Sequence, residues 1–258
     1  MNIDFHCHTS LSYDGFSSYE GLAKAAEKKN IEVIFITEHD KINSDKNMIF
    51  KIKNVTFIKG CEFTASNGAH IIGLFIDKEL NEPSSSYQDI FKHIKKNNGL
   101  ISLPHPFKPD SGLFSLEKNF FKNLDLKDVD LIELFNGGYS NTIEQKNEII
   151  EIAKKNNIKL IGASDAHKEI HLGYFVTKYK QKNEDLYNLI SKEQGSILFD
   201  SSFKNLPRKV NKIQKNRLFI FIRDQIRFNN RILIKRFLYF FKKKLIQAPQ
   251  YKLKYPND

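Results

Sequence analysis

The chain has 258 residues, 40% of them apolar and 28% charged, which suits one large α/β domain and excludes a disordered or fibrous protein. No apolar run approaches the roughly 18 residues that span a bilayer, and two cysteines, Cys7 and Cys61, make no disulfide framework. The N-terminus lacks a basic-then-apolar leader, so a cytoplasmic location is expected. The net charge of +11 is unevenly placed: residues 208–258 hold 15 Lys/Arg against 2 Asp/Glu, leaving 26 basic and 28 acidic residues in 1–207.

Along the chain, apolar β-rich runs alternate with helical patterns, which predicts a mostly parallel sheet or barrel. Strands are expected at 3–6, 32–37, 56–62, 71–76, 100–104, 131–135 and 160–164, and helices at 18–30, 85–98 and 140–156. Two further strands at 172–180 and 196–201 flank a helix at 184–192. The boundary falls at 207: a body of 1–207 is followed by a basic, aromatic-rich helical extension over 208–258. That extension reads as a helix packed on the body, as an interfacial helix drawn to an anionic membrane surface, or as a nucleic-acid contact.

The chemistry gathers at the strand ends. The first strand runs into His6-Cys-His8, where period-2 alternation puts both imidazoles on one side and Cys7 on the other. The next two run into Thr37-Glu-His-Asp40 and Gly60-Cys-Glu62. Later ones run into Pro104-His-Pro106, Glu133-Leu-Phe-Asn136 and Ser164-Asp-Ala-His167. Barrels with parallel strands carry their catalytic residues at such C-terminal ends. His70 breaks the rule by preceding its apolar run, so it must enter from a strand start or a hairpin, in a distorted barrel. Nitrogen and oxygen donors without thiolates argue against a closed structural zinc site and suit Zn, Mn or Fe(II). Asp40, Glu133 and Asn136 are candidates for orienting ligand imidazoles. Lys108, and after it Lys41, are candidate counter-charges for a substrate phosphate. His93 and His171 are assigned no function, and Cys7 and Cys61 belong to the core.

The set His6-Cys-His8, Thr37-Glu-His-Asp40, Gly60-Cys-Glu62, His70-Ile-Ile-Gly73, Pro104-His-Pro106 and Ser164-Asp-Ala-His167 resembles the polymerase and histidinol phosphatase (PHP) family. The resemblance implies a distorted (β/α)7 TIM-like barrel whose mouth holds two or three divalent metals and cleaves phosphoesters. It also implies a ligand set. His6, His8, Glu62 and Asp165 would hold one metal; Glu62 would bridge to a second with His70 and His105; Asp14, His39 and His167 would hold a third. Glu38 departs from the family's Thr-Asp-His-Asp motif, a change expected to matter little if the residue only supports the ligands. Glu62 and Asp165 are the expected catalytic carboxylates, with Lys108 beside them. The expected reaction is hydrolysis of a small phosphomonoester or nucleotide-like substrate by in-line attack of a hydroxide bridging the metals, without a covalent phosphoenzyme. An exonuclease acting on nucleic-acid ends and a non-catalytic metal-binding module are the alternatives.

Overall fold

The computed structural model describes residues 1–80, 85–117, 124–180 and 185–200. The extension 208–258, the boundary at 207, and the outer ends of the expected 184–192 helix and 196–201 strand lie outside the described residues.

Nine strands lie in one hydrogen-bonded path and a tenth pairs beside it. In chain order the elements are β1 (Asn2–Cys7), α1 (Tyr19–Lys28), β2 (Val33–His39), β3 (Ile49–Ile52), β4 (Val55–Thr64) and β5 (His70–Leu74). They continue with α2 (Tyr87–Lys96), β6 (Leu100–Leu103), α3 (Leu113–Leu116), β7 (Leu131–Asn136) and α4 (Ile143–Asn156). The described part ends with β8 (Lys159–Ala163), β9 (Phe175–Lys178), α5 (Leu186–Lys192) and β10 (Ser196–Phe199). Seven strands, β1-β2-β4-β5-β6-β7-β8, form the nearly closed barrel. Each contributes to one buried interior cluster that includes Phe5, Phe35, Ile58, Leu74, Leu100, Leu131 and Ile161. Phe5 and Phe35 stack there with ring centroids 5.2 Å apart.

The ring closes through side chains as much as through a ladder. A single parallel bridge joins Cys7 to Ala166. Below it, the buried Asp4 carboxylate accepts from Ser164 N at 3.0 Å and from Gly173 N at 3.1 Å. Thr177 on β9 exchanges hydrogen bonds with the backbone of Gly162 on β8, at 2.9 and 3.1 Å. Through these, β9 and β10 plug the gap between β8 and β1 at its lower end.

The sheet is mixed rather than mostly parallel. β5 runs antiparallel to both β4 and β6, and β3, β9 and β10 make only antiparallel pairs. β3 was not expected; it forms a hairpin with β4 across Lys53-Asn54, where Lys53 adopts φ 54, the left-handed turn conformation. Its alternating exposed and half-buried residues carry too little apolar pattern to be read as a strand. α4 starts at Ile143 because Thr142 and Gln145 form a capping box, three residues inside the expected start at 140. α1 is capped by Ser18, which accepts from Gly21 N at 2.9 Å. β5 stops at Leu74 since Phe75 takes φ 56, short of the expected 76. β9 begins at Phe175 rather than 172 because the chain turns at Gly173, φ 73.

Replacing Asp4 with Ala strands the buried amides of Ser164 and Gly173. The expected cost is roughly 2–4 kcal/mol, read as a lower denaturant midpoint at unchanged slope.

Candidate metal centre

Strand alternation alone would not deliver His6 and His8 into the barrel. Ile3 and Phe5 already face the interior cluster, whereas Cys7 packs in the outer layer with α1. The switch is a register shift: Asp4 pairs with Ile34 and Cys7 with Ile36, so β1 spends one residue more than β2 over that span. Past this bulge the inward positions are His6 and His8, both fully buried. His39 ends β2 directly opposite Glu62 on β4. Two residues after Glu62, Thr64 pairs with His70, the first residue of antiparallel β5. A strand start is thereby brought to the same rim as the strand ends. His105 follows β6, while Asp165 and His167 follow β8. Asp14 comes from the loop after β1, whose Gly15 has no room for a side chain: a Cβ would lie 1.8 Å from Thr9 O.

These nine side chains meet. Glu62 Oε2 lies 3.2 Å from His6 Nε2, 3.3 Å from His8 Nε2 and 3.2 Å from His39 Nδ1. Glu62 Oε1 lies 2.8 Å from His70 Nδ1 and 3.2 Å from His105 Nε2. Asp165 Oδ1 is 3.6, 3.7 and 3.4 Å from His6 Nε2, His8 Nε2 and His167 Nδ1. Asp14 Oδ2 faces His167 Nε2 at 3.1 Å and His39 Nε2 at 3.5 Å. The structure therefore assembles every expected ligand, with His39 turned both ways, one nitrogen to Glu62 and the other to Asp14.

Supporting contacts set the orientation. Glu133 Oε1 takes His6 Nδ1 at 2.8 Å, and its Oε2 accepts from His105 N at 2.8 Å and Asn136 Nδ2 at 2.6 Å. Glu133 thus fills the expected orienting role, with Asn136 one step behind it. Asp40 acts elsewhere, accepting from Thr64 N at 2.7 Å and Thr64 Oγ1 at 3.0 Å to pin the end of the strand that carries Glu62. Ser12 and Thr9, missed in the sequence, bind Glu38 and, through Ser12, His8. A hydroxyl pair flanking a turn is too common a pattern to be singled out. Tyr13 stacks on His39 with centroids 5.0 Å apart. His105, Asp165 and Asp40 adopt φ of 29, 49 and 50, a concentration of left-handed non-glycine backbone at the mouth.

The charges are strongly coupled. Burial pushes Glu62 up, but His39, His70 and His6 outweigh it and hold the carboxyl well below its usual range. Asp14 is likewise pushed up by burial yet held well below that range by His167 and His39. Burial works to lower His6, but Glu62, Asp165 and Glu133 prevail and hold it well above the ordinary imidazole range. For His8, burial followed by His167 and His39 brings the value down to about 3. Burial also takes His70 to about 3, against the pull of Glu62.

This donor set fits divalent cations. Ligands about 2.0–2.1 Å from a metal and roughly 90–110° apart lie about 3.0–3.4 Å from one another, the spacing of most pairs here. Donor atoms of His8, His39 and His167 lie within 4.8 Å of one another, as do those of His6, His8 and Asp165 and those of His39, Glu62 and His70. Asp14 Oδ1 and His105 Nδ1 are buried without a hydrogen-bond partner among the described residues, and His39 Nδ1 meets Glu62 outside hydrogen-bond geometry.

The remaining candidates are not among these nine donors. Lys108 closes a turn through its backbone, donating to His105 O at 2.9 Å, and no ion pair among the described residues holds its ammonium over the cluster. His93 caps Lys78 O at 2.9 Å from helix α2. His171 sits on a short 3-10 turn against α1. Cys7 and Cys61 are buried core residues whose thiols burial pushes well up.

Comparison with known proteins adds a family match. The PHP domain matches residues 4–232, a span that runs into the basic extension. An uncharacterised protein of Methanocaldococcus jannaschii is 32% identical over 171 residues, 60% of this chain and 95% of its own length. A protein of Caldicellulosiruptor saccharolyticus named "probable phosphatase" is 22% identical over 65% of this chain and 80% of its own. Among solved structures, a two-domain protein of Bacteroides vulgatus, described as containing a predicted PHP-like metal-dependent phosphoesterase, superposes with a TM-score of 0.54. It is 21% identical and covers 77% of this chain and 64% of its own. Endonuclease Q bound to a 27-mer duplex with an abasic lesion superposes with a TM-score of 0.57 at 16% identity, over 74% and 55%.

Two outcomes are expected of this centre. Glu133→Ala should weaken binding of Mn²⁺ or Zn²⁺ by about 10- to 100-fold in titration calorimetry while the fold is retained. Cation binding at His6 Nε2 must displace the proton that the surrounding carboxylates hold there. Affinity should therefore fall as the pH drops, and calorimetry in buffers of different ionisation enthalpy should register proton release.

Proposed function

This chain belongs to the PHP domain family of metal-dependent phosphoesterases, and on that footing we propose that it hydrolyses a small phosphomonoester or nucleotide-like substrate. The observation that carries the reading is the convergence of five histidine nitrogens, from His6, His8, His39, His70 and His105, on the one Glu62 carboxylate. The Caldicellulosiruptor relative named "probable phosphatase" supports a phosphatase.

Two or three divalent cations (Zn, Mn or Fe), when bound, would supply an acidified water and neutralise the phosphate and the departing oxygen. Glu62 would hold cations through both oxygens: Oε2 on the side of His6, His8 and Asp165, and Oε1 on the side of His70 and His105. Asp14, His39 and His167 would hold a third. His167, Asp14 and His70 have side chains 24%, 16% and 11% exposed, against 5% or less for the other ligands. The phosphate would approach over those three. Lys108 and Lys41 are the proposed counter-charges for its outer oxygens. Direct attack by water is favoured because the sequence carries no serine or cysteine nucleophile motif. Ser12 and Thr9 give their protons to Glu38, and both cysteines lie in the core.

A second reading, cleavage at nucleic-acid ends, draws on the shared fold of endonuclease Q and on the basic residues of 208–258. Turnover of p-nitrophenyl phosphate and of a panel of phosphorylated metabolites, set beside short oligonucleotides, separates the two. Activity should require Mn²⁺ or Zn²⁺ and vanish with chelator. Glu62→Ala should remove bound metal and nearly all activity, well beyond the roughly 10- to 100-fold expected of a residue that only orients a ligand. His93→Ala should be silent. Full metal content in the Glu62 variant, or turnover indifferent to chelator, would contradict the reading.

A further inference from the structure

Glu38, the departure from the family motif, is buried and holds the loop that follows β1. Its Oε1 accepts from Thr9 N at 3.0 Å and from the Thr9 hydroxyl. Its Oε2 accepts from Ser12 N at 2.9 Å and from the Ser12 hydroxyl. Each oxygen meets one amide N–H and one hydroxyl, and only the ionised carboxylate, which has no proton of its own to place, accepts from all four. A hydroxyl has one proton to give, and Ser12 gives its proton to Glu38. The Ser12 oxygen is left with acceptor capacity alone, part of which is taken by His39 N at 3.1 Å. His8 Nδ1 lies 3.2 Å from that same oxygen and must therefore be the donor. An imidazole that ligates a cation carries one N–H, so Nε2 keeps its lone pair. That atom points into the cluster, 3.1 Å from His6 Nε2 and 3.3 Å from Glu62 Oε2.

We propose that Glu38 and Ser12 are positioning residues: together they lock His8 in the Nδ1–H tautomer, so that Nε2 is always the atom presented to a cation. The relay works by polarity, each group's proton being committed in turn from His8 through Ser12 to Glu38. The same hydroxyl holds the backbone of His39, so one serine orders ligands from two strands. This inference rests on His8 being one of the ligands.

The test uses the full-length chain labelled with 15N-histidine, stripped of metal by chelator and then titrated with Zn²⁺. Long-range 1H–15N correlation should show wild-type His8 protonated at Nδ1 alone. Ser12→Ala leaves Glu38 three donors, Thr9 N, Thr9 Oγ1 and Ser12 N, so the loop keeps its anchor. In that variant His8 should become a mixture of tautomers and Zn²⁺ affinity should fall about 10- to 100-fold, with Ser12→Thr restoring both. Wild-type His8 protonated at Nε2 overturns the proposal before any variant is made. So does a Ser12→Ala protein that keeps the wild-type tautomer, whatever its stability. A shifted tautomer with unchanged Zn²⁺ affinity overturns the last link, His8's place among the ligands, and leaves phosphatase activity to be judged by p-nitrophenyl phosphate turnover.

Discussion

A carboxylate sealed from water inside a ring of imidazoles governs this molecule. Glu62 is 1% exposed, and five histidine nitrogens lie within 3.3 Å of its two oxygens. An isolated ion in that position would be costly to bury, and so would so many crowded imidazoles without an anion. Each therefore makes the other tenable, and together they form a receptacle for positive charge. The coupling explains why the same burial leaves His6 above its ordinary range and His8 and His70 far below it. His6 faces three carboxylates, whereas His8 and His70 each face other histidines.

The barrel's irregularities all serve that receptacle. The bulge in β1 turns His6 and His8 inward just above the Phe5–Phe35 stack. The reversal of β5 lifts His70 to the rim that the other candidate donors reach from strand ends or, for Asp14, from the loop after β1. The left-handed residues His105 and Asp165 stand directly after β6 and β8, where the chain must bend back over the mouth. Beneath, the interior cluster from seven strands gives the ligands a rigid floor, which metal geometry demands more than stability does.

Much of this was legible. Six short segments rich in His, Asp and Glu, each closing an apolar run, announced one polar mouth, and the position of His70 ahead of its run announced a distortion there. Cys7 and Cys61 lie in the core as their parity implies; of the three expected orienting groups Glu133 meets an imidazole, Asn136 meets Glu133, and Asp40 holds Thr64 instead. The unexpected β3 hairpin has an exposed strand with little apolar pattern to read. The Thr142–Gln145 capping box, which sets the start of α4 at Ile143, is by contrast written in the chain. Ser12 could not be found because its importance lies in which proton it commits, and to whom.

The amino-acid sequence by itself determined the candidate donors, the order along the chain of the strands that carry them and the family it belongs to, because these depend on residue type and spacing along the chain. Tertiary structure alone decided the rest. It set which side of β1 faces inward after an added residue, the antiparallel course of β5, and the two faces His39 turns to Glu62 and Asp14. Each of these depends on pairings between segments far apart in the chain, and local periodicity holds no record of such pairings.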